Sequence, residues 1–316
     1  MMHLGNWFGA VRQFVELQAT EENFIFIADF HALTTVHDAA QLRSNAREIA
    51  TEYLACGLEP EKTVLWRQSD IPEVCELTWL LACATPMALL ERAHAYKAAR
   101  QEEREVSMGL FNYPVLMAAD ILMFQSDIVP VGEDQVQHIE MTRDMAQKFN
   151  ATFGTEVLKL PVARVNEAVA RVPGLDGQKM SKSYGNTIGL FEPESQIKKK
   201  VMRIVTDSTP IGSPLDPEQD NVFALHKLFP GPDLDELRAR YLAGDIGYGE
   251  SKKLLVPKII EHLAPLRERY EELRRQPDYV EDVLREGAQR ARVVAEATIL
   301  ACREATGFAD PVAARA

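Results

Sequence analysis

Phe24-Ile25-Phe26-Ile27-Ala28 and Thr63-Val64-Leu65-Trp66 are short apolar runs rich in β-branched and aromatic residues, and the segment between them has a different period. Beyond Asp38, a candidate N-cap, apolar residues recur at Leu42, Ala46, Ile49, Ala50, Tyr53 and Leu54, and Gly57 stands just past the last of them. The two runs have the length of buried strands. The segment between them carries the 3.6-residue repeat and both end signals of a helix. Strand, helix and strand in that order imply a βαβ unit and a parallel sheet.

The same alternation continues outward. Ile128 to Val131 reads as a third strand, and helices are predicted over 72–84, 87–100 and 109–124. After Gly132 a further helix over 134–149 places Val136, Ile139, Ala146 and Phe149 on one face. Toward the start, 5–17 reads as a helix with no strand ahead of it, whereas a nucleotide-binding half needs strand, glycine turn and helix in that order. A strand is therefore expected upstream of the first helix. From Pro193 onward the chain reads as helices separated by Pro and Gly breaks. The last has the clearest stripe: Val280, Val283, Leu284, Ala288, Ala291, Ala295, Thr298 and Cys302.

Composition fits an ordinary globular α/β chain. With 316 residues, 46% hydrophobic and 26% charged, it is long enough for a large core plus a smaller helical domain, and it excludes disorder and collagen-like repetition. The most apolar stretch, Leu80 to Leu90, is interrupted by Thr85 and Pro86 and is far shorter than the ~20 residues of a membrane span. No basic n-region precedes an apolar block at the start, so a cytoplasmic protein is expected. The four cysteines, Cys56, Cys75, Cys83 and Cys302, form no Cys-x-x-Cys pair. They are expected as buried reduced thiols, with neither zinc nor an iron–sulfur cluster.

The net charge of -12 is distributed unevenly. Residues 1–178 carry 14 Lys+Arg against 25 Asp+Glu, whereas residues 179–316 carry 21 against 22. The second part holds local basic clusters at Lys198, Lys199, Lys200 and Arg203, at Lys252, Lys253 and Lys258, and at Arg267, Arg269, Arg274 and Arg275. Each reads either as a solvated helix face or as a phosphate contact.

Lys179-Met180-Ser181-Lys182-Ser183, flanked by Gly174, Gly177 and Gly185, is the most specific motif. Two lysines three apart on a flexible loop can close over the β- and γ-phosphates of a nucleotide and neutralise departing pyrophosphate. His3-Leu4-Gly5-Asn6 opens the first helix: Gly5 would let a purine pack on the backbone, while His3, Asn6 and the helix N-terminus present donors to phosphate. Tyr113, Met117 and Asp120 share one helix face, with Asp120 the polar tip of an apolar wall. Such a carboxylate suits a flat apolar ligand with one N–H donor, such as indole, unless Asp120 only caps or pairs locally. Val129-Pro130-Val131-Gly132-Glu133-Asp134 stands where a parallel strand gives way to a helix, the ligand-binding edge of open α/β sheets. There Gly132 allows close approach, Asp134 can accept from ribose hydroxyls or serve as a helix N-cap, and Gln135 can reach a second ligand.

The pairing of His3-Leu4-Gly5-Asn6 with Lys179 to Ser183 resembles the two signatures of class I aminoacyl-tRNA synthetases. Asn6-Trp7-Phe8-Gly9-Ala10, Ala28-Asp29-Phe30-His31-Ala32, Tyr113 to Leu122 and Val129 to Gln135, with His138-Ile139-Glu140 behind, are similar in order and spacing to the bacterial tryptophanyl branch. Tyrosyl enzymes resemble the Tyr113 segment but carry Gln where Met117 stands.

The resemblance implies a Rossmann-type catalytic domain over 1–190 and a helical, anticodon-reading domain over 191–316. It implies ATP-dependent attachment of tryptophan to its tRNA, with ATP arriving as its Mg²⁺ complex, and a homodimer. Lys179, Lys182 and His3 are the implied catalytic residues. Gly5, Asn6, Gly132, Glu133, Asp134, Val172, Met180, Ser181 and Ser183 would join the two lysines in holding ATP; Asp120, Tyr113, Met117, Gln135 and His31 would hold tryptophan. It also implies a first strand and a Gly-x-Gln-Pro-Ser/Thr-Gly turn ahead of His3. Tyr96-Lys97-Ala98-Ala99-Arg100 keeps one lysine of the family's Lys-x-Lys pair, with Arg100 at the place of a second cation. A tyrosyl enzyme, or an adenylate- or tRNA-binding relative without catalysis, are the alternatives.

Overall fold

A computed structural model describes residues 1–308 apart from Arg104, Glu133, Asp134, 166–171 and Ile211. By its contacts the chain forms two compact units, each assembled from separate stretches of sequence.

One unit comprises Thr20–Ala50, Glu59–Asn166 and Asp278–Ala316 and contains all four described strands. β1 (Asn23–Ile27) pairs in parallel with β2 (Thr63–Arg67), in a register that sets Ile25 against Leu65. The helix between them spans Ala39–Ala55, and the Asp38 carboxylate accepts the Gln41 N–H at 2.7 Å, so the expected N-cap is made. Gly57 ends this crossover with φ +101°, a conformation open to glycine. β3 (Ile128–Val131) pairs in parallel with β4 (Val162–Val165). β4 was not expected from the sequence, because Val-Ala-Arg-Val is short and alternates exposed with only half-buried positions. The predicted helix over 87–100 is two pieces, Met87–Leu90 and His94–Gln101, because buried Ala93 takes an extended ψ of 135° between them.

The core of this unit is aromatic at its centre. Trp66 of β2 packs on Phe124 at a centroid distance of 4.7 Å, with Phe24 and Phe26 of β1 beside it. Around them lie the helices Glu73–Ala84, Met108–Leu122 and Val136–Phe153. The last helix, Pro277–Thr306, joins the same core through Ala291, Ala295 and Cys302 of the stripe that the sequence marked, and through Ile299 beside it. Its Gly287 lies against the β2 backbone so closely that the Leu65 carbonyl occupies the place of a Cβ.

The other unit comprises Met1–Ala19, Thr51–Leu58 and Glu167–Pro277. Residues at the start run antiparallel to 188–190: Leu4 donates to the Ile188 carbonyl and Leu190 to that of Met2, both at 3.0 Å. The first helical stretch then runs from Leu4 to Leu17, as predicted, but includes a π-helical turn over Trp7–Val11, closed by Arg12 N–H on the Trp7 carbonyl. Trp7 Nε1 donates to His262 Nε2 at 3.1 Å and Phe8 stacks on the same imidazole, tying this stretch to the helix Tyr248–Leu273. Shorter helices at Glu194–Met202, Asn221–His226 and Leu234–Ala243 complete the unit.

The cysteine expectation is corrected in part. All four thiols are free and Cys56 and Cys302 are buried, but Cys75 and Cys83 are exposed. They stand eight residues apart on Glu73–Ala84 with exposed Trp79 midway, on the outer face of a helix whose inner face is filled by Val74, Leu77 and Leu81. Among the described residues, no helix is long and apolar enough to cross a membrane.

Candidate active site

The two signature segments meet within one unit. His3 is 6% exposed and precedes the first helical turn, where its N–H donates to Asn6 Oδ1 at 3.1 Å. A Cβ at Gly5 would fall 2.9 Å from His3 Nδ1 and 3.4 Å from the Met180 Cβ, so glycine is what lets the imidazole and the lysine loop pack together here. Burial, with Lys182 and the chain's amino terminus as lesser causes, pushes the His3 pKa down to about 4. The ring is therefore neutral at physiological pH, with a lysine charge beside it.

The lysine loop is a short hairpin. Met180 N–H donates to the Val172 carbonyl at 2.9 Å, and Pro173 bridges to Lys179, which buries Val172 and Met180 and leaves Lys179 and Lys182 exposed. Ser181 and Ser183 hydroxyls lie 2.9 Å apart at the tip. Gly185 closes the tip with φ +64°.

A separate constellation lies in the strand-bearing unit. Asp120, 3% exposed, comes from the helix Met108–Leu122. Its carboxylate accepts from Gln68 Nε2, 2.8 Å from each oxygen, and lies 2.9 Å from His31 Nε2. Burial raises the carboxyl pKa, and the His31 and Gln68 bonds oppose that rise. On the same helix Tyr113 is half-buried; its hydroxyl lies 2.7 Å from His138 Nε2 and its ring meets His31 edge-on. Burial raises the Tyr113 pKa, so the phenol stays protonated. Met117 is half-buried one turn from each of these residues. A rigid acceptor set among aromatic and thioether groups can orient one N–H of an otherwise apolar ligand.

Gly132 is exposed at the end of β3, and the Gln135 N–H donates to its carbonyl at 2.9 Å as the helix Val136–Phe153 begins. Glu133 and Asp134, assigned to ATP from the sequence, lie outside the described residues. Three residues of these clusters were not singled out by the sequence: Gln68, His138 and Asn186. Gln68 follows β2 as a lone amide, with no pattern to mark it; His138 stood in a matching segment without a role; Asn186 closes the lysine loop from three residues beyond Ser183. Among the described residues, no three His, Cys, Asp or Glu side chains gather as metal ligands.

A family profile described as tRNA synthetases class I (W and Y) matches residues 1–264. The chain is 52% identical over 307 residues to the tryptophan–tRNA ligase of Rhodopirellula baltica, covering 97% of this chain and 96% of that one. Among solved structures, tryptophanyl-tRNA synthetase of Campylobacter jejuni, complexed with ADP and tryptophan, superimposes with a TM-score of 0.89 at 46% identity, covering 97% of this chain and 96% of that one. The Mycoplasma pneumoniae enzyme gives 0.83 at 30% identity, covering 98% and 94%. With its signature segments in contact and its buried Asp120 acceptor, the chain belongs to the class I tRNA synthetases, in their tryptophan–tRNA ligase branch.

Proposed function

We propose that the two clusters divide the work of tryptophan activation and transfer. The tryptophan carboxylate attacks the ATP α-phosphorus, forming tryptophanyl-adenylate and releasing pyrophosphate. A terminal hydroxyl of tRNA then attacks the acyl carbon and AMP leaves. Neither step demands strong acid–base chemistry, so the residues act by positioning and by stabilising charge.

In this reading Lys179 and Lys182 neutralise the departing pyrophosphate, with Met180, Ser181 and Ser183 shaping the loop around the phosphates. His3, neutral because it is buried, donates from its ring without adding charge, and Gly5 and Asn6 admit the nucleotide to the helix start. Val172, Gly132, Glu133 and Asp134 take the adenosine. ATP brings Mg²⁺ as part of the substrate, offsetting phosphate charge beyond the reach of two lysines. Asp120 accepts the indole N–H, Tyr113 and Met117 form the walls, and Gln135 and His31 complete the amino-acid site. The helical part over 191–316 reads the anticodon.

The observation that carries this reading is the packing of His3, Gly5 and Met180, which sets the Lys182 charge beside the His3 ring. A homodimer is supported by the exposed stripe Cys75, Trp79, Cys83 and Met87, in which Trp79 is 68% and Met87 65% exposed. The cytoplasm is the compartment proposed, where the tRNA partner resides. Pyrophosphate exchange with tryptophan and with tyrosine is the test. Exchange with tryptophan supports the reading; exchange with tyrosine alone would replace it by a tyrosyl enzyme, and exchange with neither by a binding protein.

A further inference from the structure

Asn186 is 3% exposed, and its carboxamide is committed entirely to the lysine loop. Oδ1 accepts the Ser181 N–H at 2.8 Å, while Nδ2 donates to Asp176 Oδ1 at 2.7 Å and to the Lys179 carbonyl at 3.2 Å. These three bonds use both amide protons and the carbonyl. The Asn186 backbone carbonyl also accepts the Leu175 N–H at 2.9 Å. Bonds at 175, 176, 179 and 181 thus converge on one residue, drawing 174–186 into a closed ring.

The surroundings fit the same purpose. At Gly174 the place of a Cβ is filled by the Asn186 carboxamide, so only glycine admits it. The base of the ring is anchored in turn: Val205 donates to the Leu175 carbonyl at 2.7 Å, and the Asn221 side chain fills the space beside Gly177. The clasp therefore bonds backbone groups at Lys179 and Ser181, on either side of Met180 and immediately before Lys182. Lys182 itself is exposed, on a tip whose backbone is held by these bonds.

We propose that Asn186 is a positioning residue for adenylate formation, setting through its clasp on Ser181 and Lys179 the direction in which Lys179 and Lys182 meet the phosphates. The inference rests on the proposed role of those lysines. Asn186 is buried under the loop and acts through the lysines. Its loss should therefore appear in the rate of the chemical step and in the use of ATP, while tryptophan binding stays as it was. A displacement of ~1 Å at a reacting group can cost about 10²-fold in rate.

Pyrophosphate exchange and tryptophan affinity would be measured on the full chain for Asn186→Ala, Lys182→Ala and the double variant, with thermal unfolding as a check on folding. Asn186→Ala should lower the exchange rate ~10-fold or more with unchanged tryptophan affinity, and should add less than about 2-fold to the loss already caused by Lys182→Ala. Single losses that multiply in the double variant, or an Asn186→Ala rate within 2-fold of the parent, would overturn the clasp. If Lys182→Ala is itself without effect, the assignment of the lysines fails instead. Should Asn186→Ala not fold, exposed Asp176 offers the same bond from its other end. Asp176→Ala should lower exchange several-fold, and Asp176→Asn, which keeps an acceptor, should restore it; equal behaviour of the two would refute the inference.

Discussion

Gln68 Nε2 lies 2.8 Å from both carboxylate oxygens of Asp120, and Gln68 Oε1 accepts the Phe30 N–H at 3.1 Å. The amide is thereby fixed at both ends, joining the turn after β1 to the helix Met108–Leu122. Burial disfavours the Asp120 anion, while the Gln68 and His31 bonds favour it. Held this way, the carboxylate is an acceptor of fixed direction. If Asp120 accepts the indole N–H of tryptophan, as we propose, Asp120→Ala would leave that donor unpaired in an apolar pocket, a loss of ~1–3 kcal/mol. Phenylalanine has no such donor. Activation of phenylalanine relative to tryptophan should rise by about 5- to 150-fold, in line with that loss. An unchanged ratio in pyrophosphate exchange would make Asp120 purely structural.

Lys182→Ala should act on the rate and spare the amino acid. If the ammonium meets charge that grows on pyrophosphate as it departs, adenylate formation should fall by ~10² or more. Tryptophan affinity, which we assign to the Asp120 cluster, should be nearly unchanged. Rapid-quench measurement of adenylate formation beside equilibrium tryptophan binding separates these; equal weakening of both would show a ground-state clamp.

Legibility from sequence followed how local each signal was. The βαβ crossover was readable because its strands hold apolar runs and its helix carries its own start and stop signals at Asp38 and Gly57. β4 was not, since four residues of mixed burial show no period that stands out from a loop. The signature residues were readable as motifs, because each signature is contiguous in the chain. Their supports were not: Gln68 is 52 residues from Asp120, and the His138 contact with Tyr113 spans 25. Trp7, at the start of the π-turn Trp7–Val11, bonds His262, 255 residues away, a contact that no local propensity encodes. The exposed sides of Cys75 and Cys83 were missed because an apolar helix shows its core face and any partner face alike.

Gly287 offers a test of the packing in the strand-bearing unit. Alanine at an exposed helical site is more favourable than glycine by about 1 kcal/mol. Here the added methyl would coincide with the Leu65 carbonyl, a backbone group of β2, the strand paired in parallel with β1. Gly287→Ala should therefore destabilise, by ~1–3 kcal/mol or more, reversing the sign expected from propensity. Urea unfolding of the two proteins checks this, and a more stable variant would show that the helix can move away from the strand without cost.

Burial lowers the pKa of three histidines, His3, His226 and His262, and so shapes the response to acid. His226 is fully buried with its Nε2 at 3.1 Å from the Ser251 carbonyl, and burial, aided by Lys258 and opposed by Asp233 and the Ser251 bond, pushes its pKa down to about 4. His3 is lowered to the same value, chiefly by burial. In the unfolded chain both take up protons near the ordinary 6.5, whereas the folded chain takes them up only near 4. Across that window the unfolded state binds more protons, so stability is level above about pH 7 and declines as pH falls from about 6.5 toward 4. The unfolding temperature at pH 5 should lie several degrees below that at pH 7, at about 2–4 °C for each 1 kcal/mol. His226→Asn removes one of these groups. It should unfold at a lower temperature than the parent at pH 7, through loss of the imidazole packing, yet lose fewer degrees on going to pH 5. A variant whose unfolding temperature falls as steeply as the parent's would place the proton uptake elsewhere.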